Sequence, residues 1–156
     1  MRVAGIAVHI PGSGRPAARL VVVEDSGGSP AIEEIVDFSS DDAELPMQLH
    51  EAAGALRSRL KGLEVDRVVV RRADYSPASN KEGPKVRLLM EGALTSAAFS
   101  VQPDTRIGTG KDAGGWFGSN KAGVEAEAER VLSAASRERR YVEAASAALA
   151  GIALGP

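Results

Sequence analysis

Over the first forty residues, apolar positions fall into three short runs separated by turn-forming residues. Residues 2–10, RVAGIAVHI, carry strand formers at Val3, Ile6, Val8 and Ile10 and stop at Pro11-Gly12-Ser13-Gly14. Residues 18–24, ARLVVVE, form a continuous β-branched run, the pattern of a buried strand. DSGGSP then turns the chain. Residues 31–38, AIEEIVDF, predict a third strand through Ile32, Ile35 and Val36, without clean alternation. Three short strands joined by tight turns predict an antiparallel meander.

The period then changes. SSDDAE supplies capping residues and acids suited to a helix N-terminus. Leu45, Leu49, Ala52, Ala53, Leu56 and Leu60 fall at helical spacing, so a helix is predicted from Glu44 to Lys61. DRVVVRR at 66–72 predicts a fourth strand, and a helix-length crossover makes such strands parallel. ADYSPASNKEGP at 73–84 reads as a loop. A second helix is predicted over 85–98, with Val86, Leu89, Met90, Ala93, Leu94 and Ala97 as its apolar face, and AFSVQP predicts a fifth strand ending at Pro103. Residues 104–120 hold five glycines and the only tryptophan without any period, and are expected to be irregular. KAGVEAEAERVLSAAS and RERRYVEAASAALAGIAL predict two further helices. The order β-β-β-α-β-α-β-α-α predicts an α/β domain spanning residues 1–156: a mixed five-stranded sheet in which a meander carries two parallel strands and helices cover it.

Composition narrows the function classes. The 156 residues are 44% apolar and 26% charged, ordinary for a soluble globular chain. There is no cysteine, which excludes disulfides and thiolate metal sites. His9 and His50 lack ligand spacing, so no metal and no cofactor is expected. No apolar run reaches spanning length and no leader-type N-terminus is visible, so a cytoplasmic location without a membrane partner is expected. With 19 basic and 21 acidic residues the net charge is −2. That lacks the positive excess of a free-standing nucleic-acid binder, so nucleic acid would need a local basic patch or a partner that supplies one. RIGTGKDAGG fails as a phosphate loop: no Ser or Thr follows Lys111, and Thr105 stands where the first glycine belongs.

The element order resembles the RNase H-like fold, and in detail the RuvC-type Holliday-junction resolvases. Three segments carry the likeness. VAGIAV resembles that family's first strand, apolar-Gly-Ile-Asp. RVVVRRADY followed by KVRLLMEGALTSAA resembles its fourth strand and next helix. EAASAALAGIAL resembles its last helix, Asp-Ala-Ala-Asp-Ala-Leu-Ala. The resemblance implies a two-metal nuclease, in which several carboxylates converge on two divalent cations that clamp the attacking and leaving oxygens. Alanine and arginine cannot replace such oxygen ligands. The first acid falls on Ala7, the second on Arg71 or Arg72, and the last two on Glu143 and Ser146, so at most one of four survives. No catalytic residue is assigned on this basis. Asp74 and Glu91 could join Glu143 in a rearranged set; the plainer expectation is a loop residue at Asp74 and a solvated helix position at Glu91.

Two further features remain. Arg71 and Arg72 place fixed positive charge where the family holds metal, either to bind phosphate or to pair with Glu143. With Lys81, Lys85, Arg87, Arg137, Arg139 and Arg140 they could form one basic, nucleic-acid-binding face over the former catalytic cleft. The alternative pairs the arginines of 137–140 with Glu138, Glu143 and the acids of 125–129. Trp116 and Phe117, flanked by glycine, are candidates for a partner-binding loop or for tucking onto the body. The expectation is an inactive RuvC-like assembly or recognition subunit of a nucleic-acid-processing complex. Alternatives are a metal-dependent nuclease with rearranged acids and a non-catalytic nucleic-acid binder. Nucleic acid, a protein partner and a homodimer are the partners to test.

Overall fold

The computed structural model describes residues 1–74 and 82–156. Its sheet has the order β3-β2-β1-β4-β5. The strands are β1 (Arg2–His9), β2 (Ala17–Asp25), β3 (Pro30–Phe38), β4 (Arg67–Arg71) and β5 (Thr105–Gly108). β1 pairs antiparallel with β2 and parallel with β4, β2 pairs antiparallel with β3, and β4 pairs parallel with β5. The expected meander and its two parallel strands are therefore present, with β1 at the centre.

Helices cover both faces. α1 (Leu45–Leu63) and α2 (Glu82–Phe99) lie on one side, where Ile6, Val8, Leu20, Val22, Val68 and Val70 meet Leu56, Leu60, Met90 and Leu94. α4 (Lys121–Ala134) and α5 (Val142–Ala153) lie on the other, where Val3, Ala7, Val21, Val23 and Val69 meet Val131, Leu132, Ala144 and Ala148. This explains the unbroken apolar run of β2: alternate residues enter two different cores.

The alanine-rich last helix has a steric cause. A Cβ on Gly5 would lie 1.9 Å from the Ala144 carbonyl oxygen and 2.6 Å from the Ala148 nitrogen. The backbones of β1 and α5 are in direct contact at this point, and only glycine on the strand permits it. Along the same helix Ala144, Ala145, Ala147, Ala148 and Ala150 are all buried. Larger side chains there would lift the helix off the sheet.

Three expectations are corrected. The fifth strand is not 98–103. Ala97 and Ala98 continue the buried stripe of Met90 and Leu94, so α2 runs on to Phe99 and β5 follows at Thr105–Gly108. The glycine-rich stretch 104–120 is not irregular: it holds β5 and a short helix, α3 (Gly110–Trp116). Thr109 caps α3 by accepting from the Asp112 N–H, while the Asp112 carboxylate accepts from the Thr109 N–H, a reciprocal capping box. The last predicted helix is broken, with a 3-10 turn at Arg139–Tyr141 leading into α5.

Candidate functional site

The register of the central strands defines the site. Ala7 stands opposite Arg19 of β2 and opposite Arg71 of β4. Directly paired residues share a face of the sheet, so one row reads Arg19, Ala7, Arg71 on the side covered by α5.

Arg71 is committed within the fold. Its side chain is 1% exposed, and it donates to the Arg72 carbonyl at 2.6 Å and to Asp74 Oδ2 at 2.8 Å. Glu125 stands 4.0 Å away. Asp74 also accepts from Lys121 Nζ at 2.7 Å and from the Gly110 N–H at 2.8 Å. These donors, Arg71 first, hold the Asp74 carboxyl well below the usual carboxylate range. The cluster ties the end of β4 to the starts of α3 and α4. Gly110 is required beside it, because a Cβ there would lie 2.1 Å from Arg71 Nη2.

The expected pairing of Glu143 with Arg71 or Arg72 is not found. Glu143 accepts instead from Arg87 Nη2 at 3.0 Å, and Arg87 Nε donates to Glu91 at 2.8 Å. Burial opposes the Arg87 charge, but Glu143 and Glu91 outweigh it and raise its pKa. Arg72 is exposed. Glu91 is not on a solvated face: it is fully buried, and it also accepts from the Ala73 N–H at 2.9 Å. Sequence periodicity missed this because a glutamate on an apolar stripe reads as an interruption, and its partner lies on the same helix one turn earlier. Asp74 does follow β4 as a non-helical residue, but as the centre of an ion-pair cluster. The Ser146 hydroxyl donates to the Glu143 carbonyl at 2.9 Å within α5.

A cleft of about 270 Å³ opens beside Ala7, lined by Val8, His9, Arg19, Arg87, Arg140 and Glu143. Arg19 and Arg140 lie 5.8 and 4.9 Å from the centre of the Tyr141 ring, in cation–π range. Arg19 Nη1 donates to the Arg140 carbonyl at 2.7 Å, and the Tyr141 hydroxyl donates to Asp37 at 2.8 Å. Burial and the neighbouring Arg19 charge lower the His9 pKa. The cleft thus gathers Arg87 and Arg140 from the sequence candidates and adds Arg19, whose signal was its place across from Ala7 in the β1–β2 hairpin.

Among the described residues the single basic face does not form. Lys85 pairs with Glu82 at 3.0 Å on the helix surface, and Arg137 lines a separate depression with Glu129 and Arg139. Lys81 lies outside the described residues. Arg140 pairs with Glu138 at 3.2 Å, and Arg139 with Glu129 at 2.8 Å. Trp116 and Phe117 are partly buried and packed against the α5-side core. They occupy the end of α3. Two glycines nearby serve close packing: a Cβ on Gly108 would lie 2.6 Å from the Trp116 ring, and one on Gly114 2.3 Å from the Asn120 backbone, whereas Gly118, at φ +76°, serves the turn that follows the helix.

The residues present do not fit a two-metal centre. Glu91 and Glu143 share one guanidinium, Asp74 is held by Arg71 and Lys121, and arginines flank Ala7. Among the described residues no three His, Asp or Glu side chains are grouped to hold a metal ion.

No protein-family model and no curated protein matches the chain. Solved structures do. Thermus thermophilus RuvC superposes with a TM-score of 0.69 at 17% identity, covering 98% of this chain and 94% of that one. T. thermophilus RuvC in complex with Holliday junction substrate gives a TM-score of 0.71 at 17% identity over 98% and 93%. The yeast mitochondrial Holliday junction resolvase gives 0.56 at 11% identity over 97% and 78%. With its β3-β2-β1-β4-β5 sheet and covering helices, this chain has an RNase H-like, RuvC-like fold.

Proposed function

We propose that this chain is a non-catalytic RuvC-like protein that serves as a recognition or assembly subunit of a nucleic-acid-processing complex. The observation that carries this reading is the row Arg19, Ala7, Arg71 across the three central strands. The resemblance places the first metal-binding acid at Ala7, and cationic neighbours on both sides oppose a pair of divalent cations there. The structural likeness to resolvases, one of them in complex with a Holliday junction, supports nucleic acid as the partner class. The test is incubation with duplex, single-stranded and branched DNA and RNA in magnesium or manganese. The expected result is no cleavage; metal-dependent cleavage that Glu143→Ala abolishes would overturn the reading.

A second reading, self-association, rests on α2. Leu88, Leu89 and Phe99 are 46%, 53% and 60% exposed, and Gly92 and Ser96 lie exposed between them. No charged residue follows Glu91 on this helix. Such a stripe suits a second copy of the same helix, because small residues let two helices approach. Light scattering on the wild type and on Leu89→Glu tests it, a dimer that becomes a monomer being the supporting result.

A further inference from the structure

We infer that the cleft beside Ala7 binds a phosphodiester of a nucleic-acid strand, its non-bridging oxygens held by Arg19, Arg87 and Arg140. This deepens the reading of nucleic acid as partner and rests on it. Three guanidiniums and one carboxylate, Glu143, line the cleft; outside the lining, Glu91 pairs with Arg87, Asp37 stands 3.8 Å from Arg19 and 3.5 Å from Arg140, and Glu138 stands 3.2 Å from Arg140. A guanidinium carries five N–H donors in a planar fork that matches phosphate oxygens. Arg87 spends two donors on Glu91 and Glu143, Arg19 spends one on the Arg140 carbonyl, and Arg140 spends one on the Tyr141 hydroxyl and turns its Nε to Glu138 at 3.2 Å. The remaining donors are already positioned. Glu91 and Glu143 fix Arg87 from behind and beside, while the Tyr141 ring supports Arg19 and Arg140. Side chains held in place this way lose less freedom on binding.

Two polar atoms at the cleft point the same way. Arg19 Nε and His9 Nδ1 are buried and make no hydrogen bond among the described residues, Asp37 Oδ1 standing 3.8 Å from Arg19 Nε, beyond hydrogen-bond distance. Buried polar atoms without partners are rare in folded proteins. An oxyanion beside Arg19 would satisfy its Nε. The space of about 270 Å³ equals roughly nine water volumes, enough for a phosphate and its sugar.

The lining also selects among phosphates. Glu143 disfavours a doubly charged phosphate monoester more than a singly charged diester. Among the described residues the cleft lining holds no Phe, Tyr or Trp, and its one aromatic ring is the His9 imidazole, so it offers no broad platform on which to stack a base. Backbone contacts without base contacts carry no sequence information. The site therefore reads a strand and not its sequence. The arginines stand where the resemblance implies that metal ions would bind the same phosphate, and they hold it without activating water.

The experiment is fluorescence anisotropy with labelled oligo-dT and oligo-dA at low salt, with inorganic phosphate and a nucleoside monophosphate as competitors. Both oligonucleotides should bind with closely similar affinity, and neither competitor should displace them at low concentration. Arg19→Gln and Arg140→Gln should each weaken binding by about tenfold, the loss of one charge-assisted contact. Ala7→Asp should abolish binding by placing an anion on the cleft wall, while the neutral Ala7→Asn should retain it. Circular dichroism melts confirm that each variant is folded; should Ala7→Asp not fold, the two glutamine variants decide. Unchanged affinity in both glutamine variants, or in folded Ala7→Asp, overturns the site. So does tight displacement by either small phosphate, or absence of oligonucleotide binding in the wild type. Failure of binding without cleavage removes this site and leaves the non-catalytic reading in place. Metal-dependent cleavage removes that reading whatever the affinities.

Discussion

Replacing Asp74 by alanine leaves the Arg71 guanidinium buried, with only the Arg72 carbonyl and Glu125 at 4.0 Å to answer its charge. Removing one partner of a buried pair costs about 3–5 kcal/mol. Here two features reduce the figure. Asp74 is 36% exposed, so solvent already screens it, and Glu125 is a second counter-charge. About 2 kcal/mol remains after that discount, equivalent to a fall in Tm of about 4–8 °C for a chain of this length. Urea denaturation followed by circular dichroism measures it at pH 7. A double-mutant cycle with Arg71→Met isolates the pair, because Arg71→Met with Asp74→Ala leaves no orphaned buried charge. The double variant should be close in stability to Arg71→Met alone. The pH dependence supplies an independent check. Folding lowers the Asp74 pKa, chiefly through Arg71. Its contribution is therefore complete above the unfolded carboxylate value of about 3.9 and is lost as the pH falls below it toward the folded value. The stability gap between wild type and Asp74→Ala should shrink below about pH 4. Equal stability of the two proteins at pH 7, or a gap that persists at low pH, would refute the assignment of Arg71 as a buried cation held by Asp74.

The remaining predictions concern packing and the second ion-pair cluster. Gly5→Ala should remove the cooperative melt, because its Cβ meets the α5 backbone at 1.9 Å and no rotamer relieves a backbone clash. Gly110→Ala should cost about 1–3 kcal/mol through overpacking, and less in an Arg71→Met background, since the atom it strikes is Arg71 Nη2. Glu143→Ala should cost less than about 1 kcal/mol, as Glu143 is 42% exposed and Arg87 keeps Glu91. Glu91→Ala should cost about 3 kcal/mol, because Glu91 is fully buried, the Ala73 N–H loses its acceptor and Arg87 is left with Glu143 alone. Chemical denaturation of the last two variants side by side checks their order.

The antiparallel meander and the parallel setting of the fourth strand were legible in the sequence, while the fifth strand was misplaced. Turn residues at 11–14 and 25–30 delimit a meander, and helical spacing over 45–60 makes the next strand parallel, because these signals are local. Gly5 and the alanines of 144–150 were legible as a pattern, and the structure supplied their reason in the contact of β1 with α5. The glycine-rich stretch misled because glycine serves two opposite ends. It frees a backbone, or it admits a neighbour at close range, and only the neighbour distinguishes them; at Gly108, Gly110 and Gly114 the neighbours are Trp116, Arg71 and Asn120. The capping pair Thr109 and Asp112 was the local sign that 110–116 is helical.

The charged clusters were decided by tertiary structure. Ala7 could be recognised as the position lacking an acid, yet Arg19 and Arg71 flank it only once two strand registers are set, and a one-residue slip would turn both away. Arg71 meets Asp74, Lys121 and Gly110 because the sheet brings the end of β4 beside α3 and α4. Glu143 meets Arg87, 56 residues earlier, because packing on the sheet brings the start of α5 near the first half of α2. Periodicity reports which face of an element is apolar, since burial is sensed by every residue in turn. The choice of ion-pair partner depends on a few ångströms between side chains distant in sequence, and that separation exists only after the elements have packed.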